Sequence, residues 1–439
     1  MIRSKRSVDP LGLRHLLVGL AGGVLVLSAC NAAPATSTVV PTASSVPSVA
    51  ASVPASIAAA CPVPPCDQPI LIGVSQALTG DKSDPGTGIE HGYQVWVKEV
   101  NDAGGLLGRT VALKEYDNQS LADTAVSQIE RLVTVDKVNL LMGPFSSALT
   151  IPTSAIAEKY KMAFVEGAGG APGVFDRQFH YTFFVQPGVV ERQADPFVDY
   201  ILSLPADKKP KAAAYPQQDD PFVKATEDGA QARLEGGGIK TAYHDIYPPT
   251  QTDFASIAAA VKSSGADIVL GGTIFEDAVA QVQAYSSIKY QPTAVYFTSG
   301  PSTVGAFKQA LADKVNGIAT GDGWIANSKQ PGNDKFVADY HAMFPAETDI
   351  PGEAAEGYSV GQVLQAAVTA TKSLDNTVIA DWLHANKVQT VQGPIGWDSI
   401  GRPDGTFLLE QYVSNVLHVV GPTGDPNKDA DPVFPKPNW

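Results

Sequence analysis

The chain has 439 residues, of which 44% are apolar and 17% charged, so it can bury a large core. At roughly 150 residues per domain that length suits two or three domains. Lys and Arg number 31 against 45 Asp and Glu, a net charge of −14, which leaves no basic footprint for nucleic acid.

The first residues read as a targeting segment. Arg3, Lys5, Arg6 and Arg14 form a basic region, and Leu16 to Leu27 is an apolar stretch too short to span a bilayer. It ends in Leu27-Ser28-Ala29-Cys30, which resembles the lipobox of bacterial lipoproteins. The resemblance implies a signal peptide over 1–29, cleavage before Cys30 and lipidation of its thiol. The product would be extracytoplasmic, anchored to a bacterial membrane at the cell surface or in the periplasm. Residues 30–67 then form a tether rich in Ala, Ser, Thr, Val and Pro. Cys61 and Cys66 bracket prolines, and export makes a disulfide between them allowable, although spacing alone does not prove it.

The folded part opens with Ile70 to Val74 as a buried strand, followed by Gln76-Ala77-Leu78-Thr79-Gly80. Ile89, Tyr93, Trp96, Val97 and Val100 mark one face of a helix, which Gly104-Gly105 stops. Val111 to Tyr116 is a strand, and Ala125, Val126, Ile129, Leu132 and Val133 face inward from the next helix. Val138 to Met142 and Met162 to Val165 are two further strands with a helix between them. This strand–helix alternation predicts a parallel doubly wound sheet. After Phe183-Phe184-Val185 the alternation restarts: strands fall at 211–215, 239–243, 267–272 and 294–297, with helices between. Helices are predicted over 353–370 and 379–385, and a terminal hairpin over 407–413 and 416–420. Residues 422–439, rich in Pro and Asp, read as a loose tail.

The candidate binding residues lie at strand carboxyl ends, where open α/β sheets hold ligands. Ser146 or Ser147 caps the helix after the 138–142 strand, and a helix N-terminus with a serine hydroxyl suits a carboxylate. Gly167-Ala168-Gly169-Gly170 lets backbone approach a ligand closely. The competing reading is that Ser147 only caps the helix and the glycines only turn the chain.

Four segments together resemble the leucine- and amide-type solute-binding proteins of bacterial ABC transporters. They are ILIGVSQALTG, VNDAGGLLGRTVALKEYDNQ, VNLLMGPFSSALT and VQTVQGPIGWDSIGRPDG, in that order. The resemblance implies the type I periplasmic-binding fold, in which two doubly wound parallel-sheet lobes are joined by a three-strand hinge. Lobe 1 would be 68–187 plus 318–392, and lobe 2 would be 188–317 plus 393–421. It implies a monomer without cofactor or metal that captures a small carboxylate, amide or amino acid and delivers it to a membrane permease. Ser147 falls on the family's carboxylate-binding serine, and Gly167-Ala168-Gly169 on its Ala-Ala-Thr, with Gly169 lacking the threonine hydroxyl. The first-loop contact falls near Asp84, and lobe 2 contacts fall near Asp220 and Phe222 and near Thr273 and Phe275. The carboxylate that would meet a ligand ammonium falls within 299–302, where no residue is acidic. That departure weighs against an α-amino acid unless Asp84, Asp220, Glu276 or Glu353 turns inward.

Two other readings compete. Gly357-Tyr358-Ser359-Val360-Gly361 is a literal G-x-S-x-G, with Asp381 and His384 or His418 following in esterase order. An esterase needs that serine on a sharp strand-to-helix turn, whereas 353–370 reads as one helix. A ligand-sensing module for a receptor could share the fold; the tether and lipobox favour a free-standing binding protein.

Overall fold

The computed structural model describes residues 61–439. The signal segment, Cys30 and the tether to residue 60 lie outside the described residues. Cys61 and Cys66 are joined by a disulfide, their Cα atoms 5.8 Å apart. Arg109 ties this start to the body, donating from Nε to the Gln68 carbonyl at 2.9 Å and from Nη2 to the Pro69 carbonyl at 3.0 Å.

The first lobe is built on strands β1 (Ile70–Gln76), β2 (Val111–Asp117), β3 (Leu140–Met142), β4 (Phe164–Glu166) and β5 (Thr182–Phe184). They form one parallel sheet in the order β2-β1-β3-β4-β5. Between them run α1 (Ser83–Asp102), α2 (Ala122–Thr134), α3 (Ser147–Tyr160) and the single turn α4 (Pro172–Phe175). β3 and β4 are buried throughout because helices cover both faces, which is why they read as plain apolar runs. On α1 the residues Ile89, Tyr93, Trp96 and Val100 are buried at helical spacing.

The second lobe follows with α5 (Asp195–Ser203), β6 (Ala212–Gln218), α6 (Pro221–Gly236), β7 (Lys240–Tyr247), α7 (Ala255–Ser264), β8 (Ile268–Gly271), α8 (Glu276–Ser287), β9 (Ala294–Phe297), α9 (Val304–Leu311) and β10 (Ile318–Asp322). The chain then returns to the first lobe with α10 (Asn333–Met343), α11 (Gly352–Thr371), α12 (Asn376–Ala385) and the short hairpin β11 (Val388–Thr390) and β12 (Gly393–Ile395). It ends in β13 (Leu408–Val413) and β14 (Val416–Gly421). The second sheet has the order β14-β13-β10-β9-β8-β6-β7. β6 to β10 are parallel, β13 is antiparallel to β10 and β14 to β13, so this sheet is mixed.

The chain passes between the lobes three times: between β5 and α5, β10 and α10, and β12 and β13. Two lobe limits differ from the sequence expectation. Residues 318–322 belong to the second lobe, because β10 pairs with β9 and β13. β12 stays with the first lobe, because it pairs with β11 and Ile395 joins that lobe's core. The tail is not loose. Val433 N–H donates to Gln411 Oε1 at 2.6 Å, Lys436 N–H to the Thr293 carbonyl at 2.8 Å, and Phe434 packs on the second lobe's core.

α1 and α11 cross closely, and small residues allow it. A Cβ on Gly92 would stand 2.0 Å from the Ala354 carbonyl oxygen, and one on Gly357 would stand 2.2 Å from that of Ile89. Gly361 lies under the Trp96 ring, 2.2 Å being the space a Cβ would have. The glycines of the G-x-S-x-G therefore serve helix packing, and Ser359 lies fully buried inside α11. Gly92→Ala and Gly357→Ala are each expected to lower stability by about 1–3 kcal/mol through overpacking. Gly305→Ala on α9, where a Cβ meets nothing within 4 Å, is expected to be neutral or slightly stabilising. Urea unfolding of the three variants checks the opposite signs.

Candidate functional site

The carboxyl ends of both sheets converge on one cavity between the lobes. As the lobes stand it has room for about 50 Å³ of water-accessible space, less than the usual small-molecule site. The first lobe contributes Phe145, Ser146, Gly167, Ala168, Phe184 and Gln186. The second contributes Val190, Gln193, Phe222, Thr298, Ser299, Ser302 and Gly321, with Phe407 from the last crossing. Asp322 from the end of β10 and Glu353 and Glu356 from the start of α11 complete the wall.

The first-lobe side is held by buried side chains. Gln76 at the end of β1 accepts at Oε1 from the N–H of Ala77 at 2.9 Å and of Phe145 at 2.8 Å. Tyr93 on α1 donates to the Gly143 carbonyl at 2.8 Å. Together they fix the turn that leads into α3. Ser146 is the N-cap of α3, yet its hydroxyl makes no capping bond; it is buried, faces the cavity and has no partner. The first N–H groups of a helix also lack intrahelical partners, so this end offers donors to an anionic or carbonyl group. Ser147 differs: its hydroxyl accepts from Ala171 N–H at 3.1 Å, and it does not line the cavity.

Glu166, at the end of β4, organises the glycine loop. Its Oε2 accepts from Ala168 N–H at 2.9 Å and from Gly169 N–H, while Oε1 has no partner. Gly167 and Ala168 reach the cavity, and the Gly167 carbonyl accepts from Gln186 Nε2 at 2.8 Å. Gly169 does not reach it. A Cβ there would stand 2.5 Å from the Thr150 side chain, which is why a threonine cannot occupy this position.

On the second-lobe side, Gln193 Nε2 donates to the carbonyls of Gly321 at 2.7 Å and Thr298 at 3.2 Å, binding two strand ends together. Glu353 reaches across from the first lobe. Its Oε1 accepts from Thr303 at 2.8 Å and Ser302 at 3.4 Å, and its Oε2 has no partner. No Lys, Arg or His lines the cavity. Burial pushes Asp322 up to about 6 and Glu353 up to about 7, with repulsion from Asp322 adding to the second. Glu356 is raised well above the usual range by burial and by the charges of Asp322 and Glu353. Burial lifts Glu166 to about 8 against the opposing pull of its two N–H donors.

Among the sequence candidates, Ser146, Gly167, Ala168 and Phe222 meet at this cavity. The others stand elsewhere. Asp84 is exposed on the first turn of α1 and lines a separate surface depression. Asp220 is buried as the N-cap of α6, accepting from Phe222 N–H at 2.8 Å. Thr273 is spent on the Thr298–Ser299 turn, donating to the Ser299 carbonyl at 2.8 Å. Phe275 packs into the second lobe's core, and Glu276 is exposed. Of the four acids considered as substitutes, only Glu353 faces the cavity. Sequence reasoning passed over Asp322, Glu356, Gln186 and Gln193. Asp322 ends a strand left unassigned, and Glu356 lies four residues from Gly352 on a helix read only for its apolar face.

The periplasmic binding protein family model matches residues 69–416. An amino acid binding protein of Pseudomonas aeruginosa is 25% identical over 336 residues, covering 76% of this chain and 87% of that protein. A Leu/Ile/Val-binding protein homolog of Brucella melitensis is 23% identical over 334 residues, covering 73% and 80%. Among solved structures, an ABC transporter solute-binding protein of R. palustris in complex with benzoate aligns with a TM-score of 0.72 at 16% identity. It covers 80% of this chain and 96% of that one. A branched-chain amino acid transporter substrate-binding protein of Streptococcus pneumoniae in complex with isoleucine aligns at 0.69 with 20% identity, covering 81% and 100%.

The raised carboxyls give a pH dependence of known sign. Between the ordinary carboxyl range and about 8, the folded state of the ligand-free protein holds more protons than the unfolded chain. Stability therefore falls as pH rises through that window. The melting temperature is expected to drop from about pH 5.5 to about pH 8, and Glu166→Gln is expected to flatten the slope. Differential scanning calorimetry across the window checks both.

Proposed function

The chain belongs to the periplasmic binding protein family, whose members bind solutes and are not enzymes, and from that premise we propose that it captures a small carboxylate, amide or amino acid between its lobes and delivers it to an ABC importer. The observation that carries the reading is the interlobe cavity, into which both sheets send their strand ends and where polar groups stand without partners. Benzoate and isoleucine, the ligands named for the two structural neighbours, are both small carboxylates. The ligand's carboxylate or carbonyl end meets Ser146 and the first N–H groups of α3, with Gly167 and Ala168 beside it. Phe145, Phe184, Phe222 and Phe407 enclose its apolar body. The lobes move about the three crossing segments and close on the ligand, so that the permease meets a closed, loaded monomer.

The same reading places the protein outside the cytoplasm, held to a membrane by a lipid on Cys30. Among the described residues no helix is long and apolar enough to cross a membrane.

A thermal-shift series of amino acids, amides and aromatic acids tests capture: a ligand at a hundred times its Kd adds about 2.7 kcal/mol of stability. A series in which no small molecule shifts the transition overturns the reading. For a carboxylate ligand, Ser146→Ala is expected to weaken binding roughly ten- to a hundredfold, as loss of a bond to a charged group does. Ser147→Ala is expected instead to lower stability by about 1–3 kcal/mol by orphaning the buried Ala171 N–H, with affinity nearly unchanged. For the anchor, Cys30→Ala should move the protein from the membrane fraction to the soluble fraction while leaving ligand binding intact.

A further inference from the structure

Taking capture of a solute in the interlobe cavity as given, we propose that the ligand is an organic cation of net positive charge, bearing one more ammonium or guanidinium group than carboxylate, whose cationic nitrogen is held by Asp322, Glu353 and Glu356. The three side chains come from different elements, β10's end and two positions at the start of α11, and converge on one cavity that no basic side chain lines. Lys82, which lies near Asp220, is paired with Asp81 at 2.7 Å and takes no part in the wall. Glu353 is only 3% exposed, and one of its oxygens faces this space without a partner. Glu410 of β13, near enough for the charge of Asp322 to raise it, is fully buried with both oxygens unpartnered, and it lines with Asp322 a second pocket that also holds Lys308, His341 and His418.

Burying carboxylates without a counter-charge is costly, and no side chain at this site supplies one. In the empty site the raised carboxyls are relieved by holding protons, and a cationic ligand is the other source of positive charge. A single α-ammonium balanced by its own carboxylate adds no net positive charge, whereas a second cationic nitrogen displaces protons from the wall and offers N–H donors to Glu353 Oε2, which has no partner. A metal ion does not fit, since no group of three His, Cys, Asp or Glu among the described residues is arranged to hold one. The aromatic lining formed by Phe145, Phe184, Phe222 and Phe407 suits a short apolar stem between the two ends, and its ring faces favour a cation.

The proton balance follows. In the empty site Asp322, Glu353 and Glu356 are raised, with Glu166 and Glu410 also raised around them; on the far side Asp322 and Glu410 line a second pocket with Lys308, His341 and His418. A cation favours the ionised forms of the carboxyls, so it binds with release of protons and binds more tightly as pH rises through the region of Asp322 at about 6 and Glu353 at about 7.

The test is titration calorimetry on the full-length protein with L-arginine, L-lysine and L-ornithine as cationic probes, against L-leucine, benzamide and benzoate. At least one cationic probe is expected to bind about a hundredfold more tightly than all three others, with proton release measured in buffers of different ionisation enthalpy. Glu353→Gln and, independently, Glu356→Gln are expected to weaken that probe roughly ten- to a hundredfold. Measuring both keeps the test alive if one variant folds poorly. If leucine, benzamide or benzoate binds more tightly than every cation, the cation assignment is overturned while solute capture stands. If a cation binds but neither substitution weakens it, the assignment to this wall is overturned. If none of the six binds and no wider thermal-shift series finds a ligand, both readings fall together.

Discussion

The close crossing of α1 and α11 is the contact on which the site depends. Glycines at 92 and 357 let one helix backbone rest on the other, nearer than any side chain would allow. Packing at that distance leaves little freedom to slide, because ordinary helix pairs are separated by their side chains. The pair therefore acts as a rigid frame with one end at the cleft. From it α11 sends Glu353 and Glu356 into the cavity, and α1 sends Tyr93 to the carbonyl of Gly143, at the turn that sets Phe145 and Ser146. Opposite walls of one pocket thus refer back to one helix–helix contact.

Around that frame the cavity is polar in a lopsided way. Around Ser146 it offers donors, a partnerless serine hydroxyl and a helix N-terminus. Around Asp322, Glu353 and Glu356 it offers carboxyls raised by burial and by one another. Such a surface is an expense to the empty fold, and sites built for a ligand commonly bear costs of this kind. Glu353 also binds the lobes together, accepting from Thr303 and Ser302 of the second lobe while standing on a helix of the first.

Much of the fold was legible along the chain. The buried strands announced themselves as short apolar runs, and the spacing of Ile89, Tyr93, Trp96 and Val100 marked α1. What escaped were elements whose signal is weak. β10 contains glycine and ends in an aspartate, and only its pairing with β9 and β13 assigns it to the second lobe. The tail looked loose by composition, yet backbone bonds to Gln411 and Thr293 hold it down. The G-x-S-x-G was legible too, and misleading by itself: its glycines are small because Ile89 and Trp96 lie against them.

The sequence by itself determined the alternation of strands and helices, the two-lobe plan and the places where strand ends carry small polar residues. These follow from local periodicity and turn chemistry, which neighbouring residues settle among themselves. Which of two adjacent serines faces the cleft was decided by tertiary structure: Ala171 occupies the hydroxyl of Ser147 and leaves that of Ser146 free. The acidic wall was decided in the same way. Glu353 was one of four acids weighed from the sequence, Asp322 and Glu356 were not, and a charge's meaning depends on what surrounds it in space. In sequence they are three acids among 45; in the folded protein they share one buried cavity with no cation beside them.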